Sequence, residues 1–113
     1  DHVQLDRLRY LVMKAMEDLF KDIDVLIGPF DVGPMLVASN FSGHPCLHLR
    51  VGFESLRTRT RIKSEKIDTK KKFKVPRGLS IWGPLFEEEK MLNFGMALEA
   101  QLNIADQKPT FAT

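Results

Sequence analysis

Ala38-Ser39-Asn40-Phe41-Ser42-Gly43-His44-Pro45-Cys46-Leu47-His48-Leu49-Arg50-Val51-Gly52-Phe53 joins a polar turn to a mostly apolar strand. Asn40 and Ser42 are residue types that bond their own backbone in turns, and Gly43 can take positive φ. Pro45 pushes His44 out of the helical region, so the chain extends from there. Cys46 to Phe53 then reads as a strand. Such a launch point gathers hydroxyls, an amide and free backbone N–H groups at one sheet edge, where pockets of α/β proteins form. Asn40, Ser42 and Gly43 are therefore the candidate pocket wall. The alternative is a solvated connection with no ligand.

The strand needs partners, and the flanking sequence supplies them. Upstream, Leu5, Leu8, Val12, Met16 and Leu19 recur at helical spacing, widened by Leu11, Ala15 and Phe20, and predict an amphipathic helix ending near Lys21. Ile23-Asp24-Val25-Leu26-Ile27, stopped by Gly28-Pro29, predicts a short strand, so helix and strand form the αβ half of a βαβ unit. Phe30 to Val37 contains Gly33 and Pro34 and reads as a loop, with a short helical turn near Leu36 to Phe41. Downstream, Gly78 to Pro84 predicts another strand. Glu87-Glu88-Glu89 then opens a helix where acidic side chains favour the positive end of the macrodipole. Met91, Leu92, Phe94, Leu98 and Leu102 form its stripe, with Gly95 and Ala97 allowing close approach.

The chain has 113 residues, 43% hydrophobic and 28% charged, which fits one ordinary globular domain with a modest core. No apolar run reaches the ~20 residues of a membrane helix, and the N-terminus lacks the basic-then-apolar order of a signal peptide. Cys46, the single cysteine, has no internal disulfide partner. A cytoplasmic protein is expected. Asp1 in place of Met suggests a longer parent chain.

Charge is unevenly placed. Between Arg57 and Arg77, ten Lys or Arg face only Glu65 and Asp68, so this segment is net +8 within a chain of +2, and the remainder is net −6. We expect a basic insertion at about 55–77, either exposed between two strands or folded as a long polar hairpin. Phe73 is its only aromatic and no nucleic-acid module surrounds it, so nucleic-acid binding is not favoured. The alternative function is a non-catalytic module that binds RNA or another polyanion through residues 57–77.

The chemistry-bearing residues do not add up to a catalyst. His44, Cys46 and His48 alternate along an extended chain, but a tetrahedral zinc site wants a fourth ligand and Pro45 interrupts the ladder. No metal and no cofactor are expected. As a Cys/His pair the same residues stand ~7 Å apart at Cβ, too far for a nucleophile and its base. There is no phosphate-binding glycine loop, no Gly-x-Ser-x-Gly elbow and no pair of adjacent serines.

Four features in order resemble the C-terminal part of the amidase signature family, serine amidases that include the amidotransferases acting on misacylated tRNA. They are the helix followed by Asp24-Val25-Leu26-Ile27-Gly28-Pro29, the turn Asn40-Phe41-Ser42-Gly43-His44-Pro45 with its strand to Gly52-Phe53, the strand Arg77-Gly78-Leu79-Ser80-Ile81-Trp82-Gly83-Pro84, and the helix from Phe86-Glu87-Glu88-Glu89-Lys90-Met91-Leu92 to Ala97-Leu98-Glu99. The resemblance implies an α/β fold in which this chain is an incomplete, C-terminal portion of a mixed β-sheet flanked by helices. It implies hydrolysis of carboxamide C–N bonds by a serine activated through a second, cis-peptide serine and a lysine. None of those three positions maps onto this chain, and the basic stretch departs from the family pattern. Catalytic residues are therefore none, the chain by itself is expected to be inactive, and its expected partners are the remainder of an amidase chain or domain and, once complete, an amide substrate.

Overall fold

The computed structural model describes residues 1–30, 33–58, 66, 68 and 70–109. Helix α1 spans His2–Leu19, strand β1 Leu26–Pro29, helix α2 Pro34–Ser42, strand β2 Cys46–Arg57, strand β3 Lys72–Trp82 and helix α3 Glu88–Leu102. The strands lie in the order β1-β3-β2, with β3 antiparallel to both neighbours. β1 and β2 consequently run parallel to each other with β3 between them. α1 and β1 follow one another as expected of the αβ half of a βαβ unit, but no strand precedes α1 among the described residues; the split βαβ arrangement seen is instead β1-α2-β2 with β3 inserted. The α/β class holds, although every adjacent pair described is antiparallel where a mixed sheet was expected.

Residue alternation along β3 assigns the two faces. Trp82 points to the side of α1 and α2, packing with Met16 and Phe20, while Val12, Ile23, Leu26, Met35 and Cys46 close around them. Ile81 points the other way and is 0% exposed. There Leu47, its cross-strand neighbour, packs beneath Gly95 of α3, and Met91 lies beside Gly83. Helices thus cover both faces of the three strands. Arg50 ties the end of α3 to β2 by donating to the carbonyls of Ile104 at 3.1 Å and Ala105 at 2.6 Å.

Several sequence expectations need correction. α2 takes in the second half of the expected loop and lengthens the short helical turn expected near Leu36 to Phe41, because Pro34 sits at the first turn of a helix, where its missing N–H costs no bond. Asn40 and Ser42 are accordingly helical, and only Gly43 makes the turn, as a left-handed C-cap at φ 85°. β1 begins at Leu26, three residues later than expected. β2 and β3 run beyond their apolar stretches into the basic segment, pairing as far as Arg57 with Lys72. Its charges are partly engaged there: Arg77 pairs with Glu54, while Lys74 lies 4.5 Å from the Phe53 ring centroid and Lys71 5.6 Å from that of Phe73. Residues 59–65, 67 and 69, the middle of the expected insertion, lie outside the described residues. In α3, Leu92 is exposed; the buried face is Met91 and Gly95, with Phe94, Leu98 and Leu102 half-buried beside them.

On α1 only part of the predicted stripe finds partners. Met16 and Phe20 are buried and Val12 is half-buried, whereas Leu5, Leu8, Leu11 and Leu19 remain exposed. The molecule is correspondingly flat, 50 × 40 × 17 Å, with a radius of gyration of 18.4 Å against about 13 Å for a compact chain of this length. Among the described residues, no helix is long and apolar enough to cross a membrane.

Candidate functional site

Two buried polar clusters sit where α2 meets the sheet. In the first, Trp82 Nε1 donates to Ser39 Oγ at 3.0 Å, and Ser39 Oγ donates onward to the Leu36 carbonyl at 3.1 Å. This relay fixes the indole and couples the central strand to α2. Replacing Ser39 with alanine strands the indole N–H away from water, and is expected to lower the unfolding free energy by about 1–3 kcal/mol. A shift of the urea midpoint at unchanged m-value measures it; an unshifted midpoint would show that the relay contributes nothing.

The second cluster is Ser42 with His44. Ser42 Oγ lies 2.7 Å from His44 Nδ1 and 3.3 Å from the Ser39 carbonyl. That carbonyl already accepts the N–H groups of Gly43 at 2.8 Å and His44 at 3.1 Å. The Ser42 hydroxyl donates to this carbonyl as well, and its oxygen remains within hydrogen-bond reach of His44 Nδ1. The imidazole stacks on Phe20, centroids 5.5 Å apart, and is 6% exposed. Ser42 and His44 have the spacing of a nucleophile and base, but Ser42 is buried and no carboxylate among the described residues orients the ring, so the pair serves as a lock.

Burial lowers the pKa of His44 from its ordinary 6.5 and keeps the ring neutral. The sign of the pH dependence follows. Below about pH 6.5 the unfolded chain takes up a proton that the folded chain resists, so the stability tied to the neutral ring is complete above that pH and is lost as pH falls toward the depressed folded value. Urea midpoints measured from about pH 7.5 down to about pH 5 should fall more steeply for the wild type than for His44→Phe. Parallel curves would show that His44 contributes nothing to the pH dependence.

His44 is among the residues that line a cavity of about 500 Å³ between α1 and the turn at residues 84–87. Tyr10, Met13, Phe20, Leu85 and Phe86 give it an apolar lining, and Lys14, Glu17 and Glu87 supply charge. Phe86 holds φ 62°, a left-handed conformation unusual for an aromatic residue, and is 90% exposed.

The expected pocket wall is distributed differently. Asn40 is exposed and lines a separate groove with His2, Leu5, Asp6, Arg9 and Phe41. Ser42 stands behind His44, and Gly43 is exposed, with only the tip of Leu85 near the position a Cβ would take. The structure thus does not bring the three into one cavity.

The residues His44, Cys46 and His48 also separate. His44 turns to Ser42, whereas Cys46 and His48 lie together on the strand, and His48 Nδ1 meets Ser80 Oγ at 2.9 Å across the β2–β3 register. Cys46 Sγ comes within 3.9 Å of His48 Nε2, closer than Cβ spacing alone suggests, because the side chains lean together. Burial raises the Cys46 pKa, partly offset by the Ser80 hydroxyl, so the sulfur is a protonated thiol at neutral pH and a weak nucleophile. Among the described residues, no group of three or more His, Cys, Asp or Glu is arranged to hold a metal ion.

Three strands between helices, with buried polar locks and no assembled nucleophile, form a partial α/β domain compatible with an amidase. The sequence is 29% identical over 126 aligned positions to the A-subunit of glutamyl-tRNA(Gln) amidotransferase from Halothermothrix orenii, an amidase signature family member. The match covers 96% of this chain and 23% of that protein's length. That subunit belongs to the amidase signature family, the family that the chain's ordered motifs resemble, and the chain is similar to about a quarter of its length. No family model matches it, and no solved structure gives a significant match.

Proposed function

We propose that this chain serves as the C-terminal portion of an amidase signature enzyme, one that hydrolyses or transfers at a carboxamide. In this reading residues 1–113 are one segment of an amidase domain carrying a basic insertion at about 55–77. Its task is to complete the sheet and one wall of the pocket, a wall that the segment holding Asn40, Ser42 and Gly43 forms only together with the remainder of the enzyme. The nucleophilic serine, its activating serine and its lysine come from the remainder of an amidase chain, and the amide is that enzyme's substrate. The observation that carries the reading is the exposed row Leu5, Leu8, Leu11 and Leu19 on α1, apolar surface that further protein would bury. The amidotransferase likeness supports the remainder of an amidase chain as what covers it. We place the enzyme in the cytoplasm, in keeping with a lone cysteine that has no internal partner.

The experiment is to read the coding sequence upstream of Asp1 and to assay the 113 residues alone on a simple aromatic amide. A glycine/serine-rich region with a lysine upstream, and no turnover by the piece, is the expected result. Turnover by the purified 113 residues, or an unrelated upstream frame, would overturn the proposal.

A further inference from the structure

We propose that the face of the β2–β3 hairpin carrying Arg57, Lys72 and Lys74 is a binding surface for the phosphate backbone of a single nucleic-acid strand. The inference does not rest on the amidase reading. Register defines the face. Phe53, Ser55 and Arg57 alternate along β2 opposite Pro76, Lys74 and Lys72 of β3, so these residues share one side of the ribbon. Two contacts agree with that assignment: the Lys74 ammonium lies 4.5 Å and the Arg50 guanidinium 5.2 Å from the Phe53 ring centroid. Glu54, Leu56, Phe73 and Val75 fall on the other side, where Glu54 accepts from Arg77. Glu54 is the single carboxylate of the two strands, and it is kept away from the basic face.

Within that face the charges oppose one another. Arg57 stands directly across from Lys72, with Lys74 on the diagonal, and like charges so placed destabilise a sheet. All three side chains are exposed, and none enters an ion pair among the described residues. Unpaired cations are costly to bury, so the face stays in water or meets an anion even where further protein covers α1. Same-face positions along a strand recur every ~6.6 Å, a step that neighbouring phosphates of an extended strand can match. Composition alone does not favour nucleic acid, because Phe73 is the only aromatic of the basic segment. Register turns Phe73 to the other side and brings in Phe53, which holds Lys74 in place. Among anionic partners the face suits a nucleic acid better than a protein. Its one apolar ring lies beneath Lys74, so it lacks the dry centre around which protein interfaces pack, whereas phosphate binding needs only charge.

A fluorescent uridine oligonucleotide of about 12 nucleotides, within the usual range of single-strand sites, is the probe. Three neutralised phosphates give a slope of about −2 in log affinity against log salt, so binding should weaken about twentyfold between about 50 and 200 mM salt. Combining Arg57→Gln, Lys72→Gln and Lys74→Gln should remove most of that slope and weaken binding at least about tenfold at the lower salt. The matched control combines Arg7→Gln, Arg9→Gln and Lys14→Gln on α1, which removes the same charge and should leave the slope in place. Since the hairpin variant relieves like-charge opposition, it should fold at least as well as the wild type. In the wild type, hydrogen exchange at the hairpin amides should slow when the oligonucleotide is added. No binding by the wild type at the lower salt, or equal weakening in the two triple variants, overturns the proposal. Displacement of the oligonucleotide by phosphatidylserine vesicles or polyglutamate at equal anionic charge overturns it in favour of a lipid surface or an acidic protein.

Discussion

Replacing Trp82 with alanine is expected to lower the unfolding free energy by about 3–5 kcal/mol, a large part of the stability of a domain this size. Trp82 is 3% exposed and joins what α1, α2 and β1 bring to one face of the sheet: Met16 and Phe20 from the helix, the Ser39 hydroxyl from α2, and Gly28 from β1. The fit leaves no slack. A Cβ on Gly28 would stand 2.8 Å from the indole Cζ3, so β1 approaches as far as a glycine allows. Truncation empties this space and leaves α1 held by α2, by the half-buried residues around Met16 and by the stacking of Phe20 on His44. Because Trp82 is the single tryptophan, the urea transition must be followed by circular dichroism. A loss under about 1 kcal/mol would mean that α1 is held by something else.

Ile81→Ala tests the opposite face and is expected to cost about 2–5 kcal/mol. Ile81 is 0% exposed on the central strand, flanked by Ile27 and Leu47, with α3 laid over the β2 side of it. Since Leu47 already packs tightly beneath Gly95, the helix cannot settle far into the space left, and most of the cavity penalty should persist. Hydrogen exchange should report the damage in α3 and β2 before α1, the reverse of the Trp82 variant. The same pattern of exchange in both variants would contradict the assignment of the two residues to separate layers.

The two residues also mark what was legible in the sequence. The strand holding both was readable from its apolar run between glycines, and α3 from its acidic opening and its stripe. Gly43 was readable as the positive-φ residue, since that preference resides in the residue itself. The extent of β2 and β3 was not, because two strands that expose alternating lysine and arginine give no apolar period. α2 was concealed by Gly33-Pro34, a pair that marks a loop and a helix start equally well. The role of His44 was missed because it depends on Phe20, 24 positions earlier, and on the 84–87 turn. Ser42, two residues before it, was the one local signal for that histidine. His48 with Ser80 depended on register, which residue pattern alone did not supply.

The placement of β3 between β1 and β2 has a consequence for the order in which the chain can assemble. β2 and β3 can zip together as a hairpin, but among the described residues β1 pairs with β3 alone. Pro29 pairs with Leu79 and Leu26 with Trp82, so α1 and β1 must wait for nearly half of the chain's length to be made after them. At a synthesis rate of about 5–20 residues per second, the interval between Pro29 and Trp82 is roughly 3–10 s. Throughout it, the apolar stripe of α1 and the unpaired backbone of β1 are in water, at risk of the wrong contact. β3 is therefore the timer for α1 and β1, and a delay in the basic stretch between β2 and β3 would lengthen the exposure.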